Sequence, residues 1–218
     1  MEVKPSASEF EPTPKQNLSR REWGYLGGSL AGGLLLVALV WALTVPKTAP
    51  ALPVAEVKRP APDFILPTLN GEKLQLSTYY SQSKIVLLNF WGTWCEPCKK
   101  ETPALQAAYQ QLQEQGLVLI GVNLTDNEKA QGNTEAKIQE FVTQFHVTYP
   151  IALDINGEIA RAYQIYPIPT SYFIDSTGHI RYIRVGELTT DQVNALFKQL
   201  KQEKLGQAQS ENKVAPPR

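Results

Sequence analysis

Two cysteines three residues apart, set where an apolar run gives way to an amphipathic one, constrain this chain more than any other feature. Cys95 and Cys98 are the only cysteines among its 218 residues. Before them runs Lys84-Ile85-Val86-Leu87-Leu88-Asn89-Phe90, which has the length and apolar character of a buried strand. After them Leu105, Ala108, Tyr109 and Leu112 recur at helical spacing. A strand must therefore turn into a helix at the cysteine pair.

That position suits sulfur chemistry. The first turn of a helix has unpaired N–H groups and the positive end of the dipole, and both favour thiolate over thiol. The thiolate is the form that attacks a disulfide. Cys95 is assigned as the attacking thiolate. Cys98, one turn on, is the resolving thiol. Pro97 fits the first turn, where its missing N–H costs nothing. Two competing readings are weaker. A zinc site needs four ligands, and His146 and His179, the obvious further candidates, fit no finger spacing. A static structural disulfide would not need the helix terminus.

The segment Phe90-Trp91-Gly92-Thr93-Trp94-Cys95-Glu96-Pro97-Cys98-Lys99-Lys100-Glu101 resembles the ResA/TlpA family of membrane-anchored, thioredoxin-like thiol–disulfide oxidoreductases. Glu96-Pro97 between the cysteines, together with Glu101, is similar to the ResA branch. The resemblance extends in order over about residues 60–204. It implies an α/β thioredoxin-like fold with a central mixed sheet, helices on both faces and an extra N-terminal β-hairpin. It also implies that the proline of Ile168-Pro169-Thr170 is cis and faces the cysteines, leaving the Ile168 backbone to pair with a substrate peptide. The competing reading is a trans loop proline.

Glu101 lies three residues after Cys98, so the two share a helix face. The resemblance places a functional glutamate here. Ordinary thioredoxins carry a buried aspartate six residues before the first cysteine; this chain has Asn89, which cannot titrate. Facing inward, Glu101 would have a raised pKa and could exchange a proton with Cys98. Facing outward, it would form a surface ion pair with a lysine such as Lys100. Glu96 between the cysteines is expected to oppose thiolate formation and so keep the disulfide reducing. Trp94 is expected to shield the pair and contact substrate. No metal or cofactor is expected beyond the redox-active disulfide.

Residues 1–22 are polar with three prolines and read as a disordered tail. Residues 24–45 carry no charge and as a helix would span about 33 Å, enough for a bilayer core. The anchor is drawn at 23–45, with Trp23, Tyr25 and Trp41 as interface residues. A cleaved signal, a twin-arginine signal around Arg20-Arg21 and a buried core helix fit less well. Arg20 and Arg21 before the segment favour an N-in orientation. The redox domain then faces the extracytoplasmic, periplasmic side of a bacterial plasma membrane as a single-pass protein.

Residues 46–60 read as a Pro/Ala-rich linker, 61–205 as the thioredoxin-like domain and 206–218 as a disordered tail. Within the domain, Asn70-Gly71 marks a hairpin, and Ser77 is expected to cap a short helical turn. Residues 124–133 read as a polar loop, 134–145 as an amphipathic helix, and residues 154–163 as a short helix or turn. The runs Tyr172-Phe173-Ile174-Asp175 and Ile180-Arg181-Tyr182-Ile183-Arg184-Val185 read as a hairpin. Thr189-Thr190-Asp191-Gln192 reads as a capping box.

Lys+Arg and Asp+Glu both number 21, so charge gives no argument for nucleic acid. The resemblance implies as substrate the disulfide of an apocytochrome c Cys-x-x-Cys-His site, reduced before haem attachment, and as electron donor a CcdA/DsbD-like membrane thiol transporter. A general extracytoplasmic reductase, for example of copper-site thiols, shares the same visible chemistry. A membrane-tethered peptide-binding module without turnover is the non-enzymatic alternative.

Overall fold

The computed structural model describes residues 55–82 and 84–214. The polar tail and the anchor assigned to residues 1–45 lie outside them. Among the described residues no helix is long and apolar enough to cross a membrane.

Strand β4 (Ile85–Trp91) is buried at all seven positions. Its alternation assigns one set of side chains to each side of the sheet. Ile85, Leu87 and Trp91 enter one apolar core; Val86, Leu88 and Phe90 enter another. β5 (Leu117–Asn123) runs parallel to β4, and β6 (Ile151–Leu153) parallel to β5. β7 (Thr170–Ile174) runs antiparallel to β4 on its other side, followed by β8 (His179–Val185) and β1 (Ala55–Pro60), each antiparallel to its neighbour. The order is β1-β8-β7-β4-β5-β6, a mixed sheet.

Helices cover both faces. The first core takes Leu105, Ala108 and Leu112 of α2 (Glu96–Leu112), and Ile138 and Phe141 of α4 (Glu135–Gln144). It also takes Val193, Leu196, Phe197 and Leu200 of α6 (Thr190–Val214). The second core takes Leu76 of α1 (Leu76–Tyr80), with Ile159 and Ala160 of α5 (Glu158–Ala162) packed against it. The hairpin β2 (Ile65–Pro67) and β3 (Lys73–Gln75) closes this side, with Phe64, Leu66 and Leu74 buried. The expected α/β thioredoxin-like architecture is therefore present.

The chain turns where its chemistry says it should. Gly116, at φ +102°, follows a 3-10 turn at the end of α2 and admits the chain to β5. The capping box at α6 is reciprocal: Thr189 N–H donates to Gln192 Oε1 and Gln192 N–H to Thr189 Oγ1, at 3.0 and 3.3 Å.

Four expectations need correction. The segment 46–60 is not linker throughout: Ala55–Pro60 is β1, paired with β8 in the register Ala55↔Ile183 and Pro60↔His179. Its pairing partner lies far along the chain, and local composition cannot show it. The tail assigned to 206–218 is helical as far as Val214, continuing α6. Residues 124–133 are not a loop, because α3 (Thr125–Ala130) occupies most of them. Ser77 caps nothing; α1 has Gln75 at its N-cap position, and the Ser77 N–H is itself satisfied by Asp63 Oδ1 at 2.9 Å. The short strand β6 carried no signal strong enough to predict it.

Candidate active site

The parallel strands β4, β5 and β6 point their C-terminal ends the same way, and β4 delivers the chain to the cysteines there. Cys95 is the N-cap residue of α2, in extended conformation, and its Sγ accepts the Cys98 N–H at 3.2 Å. The thiol thus sits where the helix offers an unpaired donor, which is the environment that stabilises a thiolate. Pro97 lies in the first turn of α2. The two sulfurs are bonded, with S–S at 2.04 Å. Both residues are buried.

Glu101 follows on the inward face of α2 and is only 2% exposed. Its Oε1 accepts the Asn89 amide at 2.7 Å, and its Oε2 accepts the Leu188 N–H at 3.0 Å. Burial pushes its pKa up from 4.5 to about 7, while those two hydrogen bonds hold it from rising further. The burial rules out the alternative of an exposed ion pair with Lys100. Asn89, itself buried on β4, also donates to Ser171 Oγ of β7 at 3.1 Å. Helix α2, strand β4 and the Leu188 N–H between β8 and α6 therefore meet at one carboxyl group, with Ser171 of β7 joined to it through Asn89.

Glu96 is placed differently. Its side chain is 68% exposed and pairs with Lys99 at 3.1 Å. Solvent and that ammonium screen it, so the brake on thiolate formation expected of Glu96 is weak. Trp94 is 39% exposed. Its indole folds back over Gly92, where an added Cβ would stand 2.8 Å from Nε1. A glycine is needed there for the tryptophan to lie flat on the turn.

Both the Tyr166-Pro167 and Ile168-Pro169 bonds are cis. Pro169 C=O accepts from Gly186 N–H at 2.8 Å, and Thr170 Oγ1 donates to Pro167 C=O at 2.6 Å. The Ile168 side chain packs against the core cluster that contains Cys95 and Cys98. Among the described residues its backbone groups have no hydrogen-bond partner. The arrangement leaves a short stretch of unpaired backbone beside the disulfide, which an extended polypeptide can use. His146 and His179 take no part in it. Among the described residues, no group of three or more His, Cys, Asp or Glu side chains is placed to hold a metal ion.

Two parts of the site were not read from the sequence. One is the bond from Asn89 to Glu101: the absence of a titrating group at Asn89 was visible, its donor role was not. The other is Glu128, buried beneath the turn that precedes Cys95. A charged residue in a polar run gives no sign of burial.

Comparison with known proteins agrees with this geometry. The AhpC/TSA family matches residues 57–183. The thiol-disulfide oxidoreductase ResA of Oceanobacillus iheyensis is 35% identical over 183 residues, covering 83% of this chain and 90% of the relative. The protein of the same name from Bacillus thuringiensis subsp. konkukian is 34% identical over 145 residues, covering 66% and 79%. Among solved structures, StoA from Bacillus subtilis superposes with a TM-score of 0.53 at 32% identity, covering 61% of this chain and 94% of that one.

Proposed function

Because the chain belongs to the AhpC/TSA family and is a thiol–disulfide oxidoreductase of the ResA type, we propose that its Cys95–Cys98 pair works as a reductant outside the cytoplasm. The proposed substrate is the disulfide of an apocytochrome c Cys-x-x-Cys-His site. The observation that carries the reductant reading is the buried Glu101 on the helix of Cys98, held by Asn89 and Leu188. The ResA-like segment Cys95-Glu96-Pro97-Cys98 supports the choice of substrate.

The chemistry runs through named atoms. In the reduced protein the Cys95 thiolate attacks one sulfur of the substrate disulfide, and the other sulfur leaves as a thiolate. The Cys98 thiol then loses its proton to the Glu101 carboxylate and attacks Cys95 Sγ. The second substrate thiolate departs, and Cys95–Cys98 is re-formed. Glu101, with a pKa of about 7, accepts a proton near neutral pH and returns it to solvent or to a departing thiolate at little cost. The unpaired Ile168 backbone holds the substrate segment extended during the attack, and Trp94 covers the outer side of the turn.

Two electrons must then be restored. A CcdA/DsbD-like membrane thiol transporter is the proposed donor, and the uncharged stretch 24–45 the proposed single-pass anchor that keeps the domain at the periplasmic face. The test is to trap partners on a Cys98→Ser variant, whose mixed disulfide on Cys95 cannot be resolved. Apocytochrome c should be the captured protein. Capture of other disulfide proteins without any apocytochrome c contradicts the proposed substrate.

A further inference from the structure

Helix α3 is built around one carboxylate. Glu128 is 1% exposed, and its oxygens accept four hydrogen bonds. Oε1 takes the Thr93 N–H at 2.5 Å and Asn123 Nδ2 at 3.1 Å; Oε2 takes the Thr93 hydroxyl at 2.7 Å and Asn133 Nδ2 at 2.8 Å. All four partners donate, which suits an acceptor-only carboxylate. Asn133 also donates to Thr93 Oγ1, and Asn123 Oδ1 accepts from Thr125 Oγ1, so each polar member of the cluster has its partners. Such a fully satisfied buried network fixes one geometry.

What it fixes is the turn from β4 into α2. Thr93 stands two residues before Cys95 and offers Glu128 both its backbone and its side chain. Ionisable groups at this end of the sheet include Asp126 and Lys129 on α3, the buried Asp154 after β6, whose carboxylate accepts the Ile159 and Ala160 N–H groups, Arg161 on α5, Glu96 with Lys99 on the solvent side, and Glu101 on the inner face of α2. Among the described residues none of these is hydrogen-bonded or ion-paired to Glu128. Glu128 is tied to Thr93, two residues before Cys95, and among the described residues no cation is bonded to it.

We infer that Glu128 is a positioning residue for the redox pair, clamping the turn that presents Cys95 and keeping the pair reducing through its carboxylate. Cleavage of the Cys95–Cys98 bond takes up two electrons and gives two thiols after two protons, or a Cys95 thiolate and a Cys98 thiol after one. A buried negative charge raises the energy of the thiolate form and leaves the disulfide unchanged. It therefore disfavours reduction of the pair and makes the reduced protein the stronger reductant. The brake assigned to Glu96 thus passes to a residue that solvent does not screen. This inference rests on the exchange chemistry alone and on no particular substrate.

At an effective dielectric of about 20, a unit charge about 10 Å from a thiolate changes its ionisation by about one pH unit. The test uses the full-length protein. Glu128→Gln keeps the shape and removes the charge; Thr93→Val keeps the charge and removes one donor. Two quantities are read: the pH midpoint of Cys95 alkylation by iodoacetamide in the reduced protein, and the oxidation equilibrium in glutathione buffers. Glu128→Gln should lower the midpoint by about one unit and shift the equilibrium several-fold toward the reduced protein above it, while Thr93→Val leaves the midpoint near wild type. Asn133→Lys sets an ammonium against the same carboxylate and should shift both readings the same way; it decides the matter if the glutamine variant does not fold. A wild-type midpoint and equilibrium in Glu128→Gln, or an equal shift in Thr93→Val, overturns the inference.

Discussion

Asn89 on β4 donates a 2.7 Å hydrogen bond to Glu101 on α2, with both side chains 2% exposed. The pair joins the central strand to the helix that carries both cysteines. It also divides two tasks that one buried aspartate would have to perform together. Asn89 supplies a permanent donor and never changes charge; Glu101 titrates. A neutral donor stabilises the ionised carboxylate enough to keep its pKa at about 7 and does not force it lower, as a cation would.

The first consequence is a pH-dependent stability. Folding raises the Glu101 pKa from 4.5 to about 7, so between those values the folded protein holds a proton that the unfolded chain has released. The stabilising contribution is complete below pH 4.5 and is lost as pH rises through about 7. The interval corresponds to about 3 kcal/mol. Urea unfolding of wild type and Glu101→Gln at pH 4.5, 6 and 8 measures it. Relative to the variant, wild type should lose stability across this series by up to that amount. A constant difference would place the Glu101 pKa near its ordinary value.

Removing the donor should act on the same group. Asn89→Ala leaves Glu101 Oε1 without its partner, and Ser171 Oγ loses one as well. The expected cost is about 1–3 kcal/mol, as for a hydrogen bond to a charged buried group. The Glu101 pKa should rise further, which carbon-detected NMR titration of its carboxyl reads directly. An unchanged titration would mean that Asn89 does not hold the carboxylate.

The boundary of the folded domain yields a third prediction. β1 covers the outer edge of β8, which would otherwise present unpaired backbone groups. A fragment that begins at residue 61 should melt about 5 °C or more below one that begins at residue 49 and should associate more readily. Equal melting temperatures would show that β1 contributes nothing to the domain.

The parts of this architecture that the sequence made legible are those carried by local pattern. β4 announced itself as a continuous apolar run, α2 and α4 by helical periodicity, and α6 by Thr189 and Gln192 three residues apart. The cysteine pair was legible from its spacing at a strand-to-helix turn, whereas the inward Glu101 and the cis Pro169 were expected from the family resemblance, and the structure buries the one and makes the Ile168-Pro169 bond cis. What stayed hidden depends on partners distant in the chain. Ala55–Pro60 resembles linker, since two prolines lie just before it and one ends it, and only β8 makes it a strand. Thr125–Ala130 has no apolar face, and its helix closes over the buried carboxylate of Glu128. Glu96 is expected to act from its place between the cysteines, but a residue at the first position of a helix can point mainly outward, and Glu96 does so, paired with Lys99.

The proton that Glu101 takes from Cys98 is the step on which the proposed mechanism turns. Stopped-flow rates of exchange between the reduced protein and a disulfide-bonded Cys-x-x-Cys-His peptide, from pH 6 to pH 10, would measure that step in wild type and in Glu101→Gln. The wild-type profile should bend near pH 7, following Glu101. In the variant that inflection should vanish and the rate on its alkaline side should fall about 10²-fold or more, as for loss of a general base. Superimposable profiles over the whole range would contradict the account.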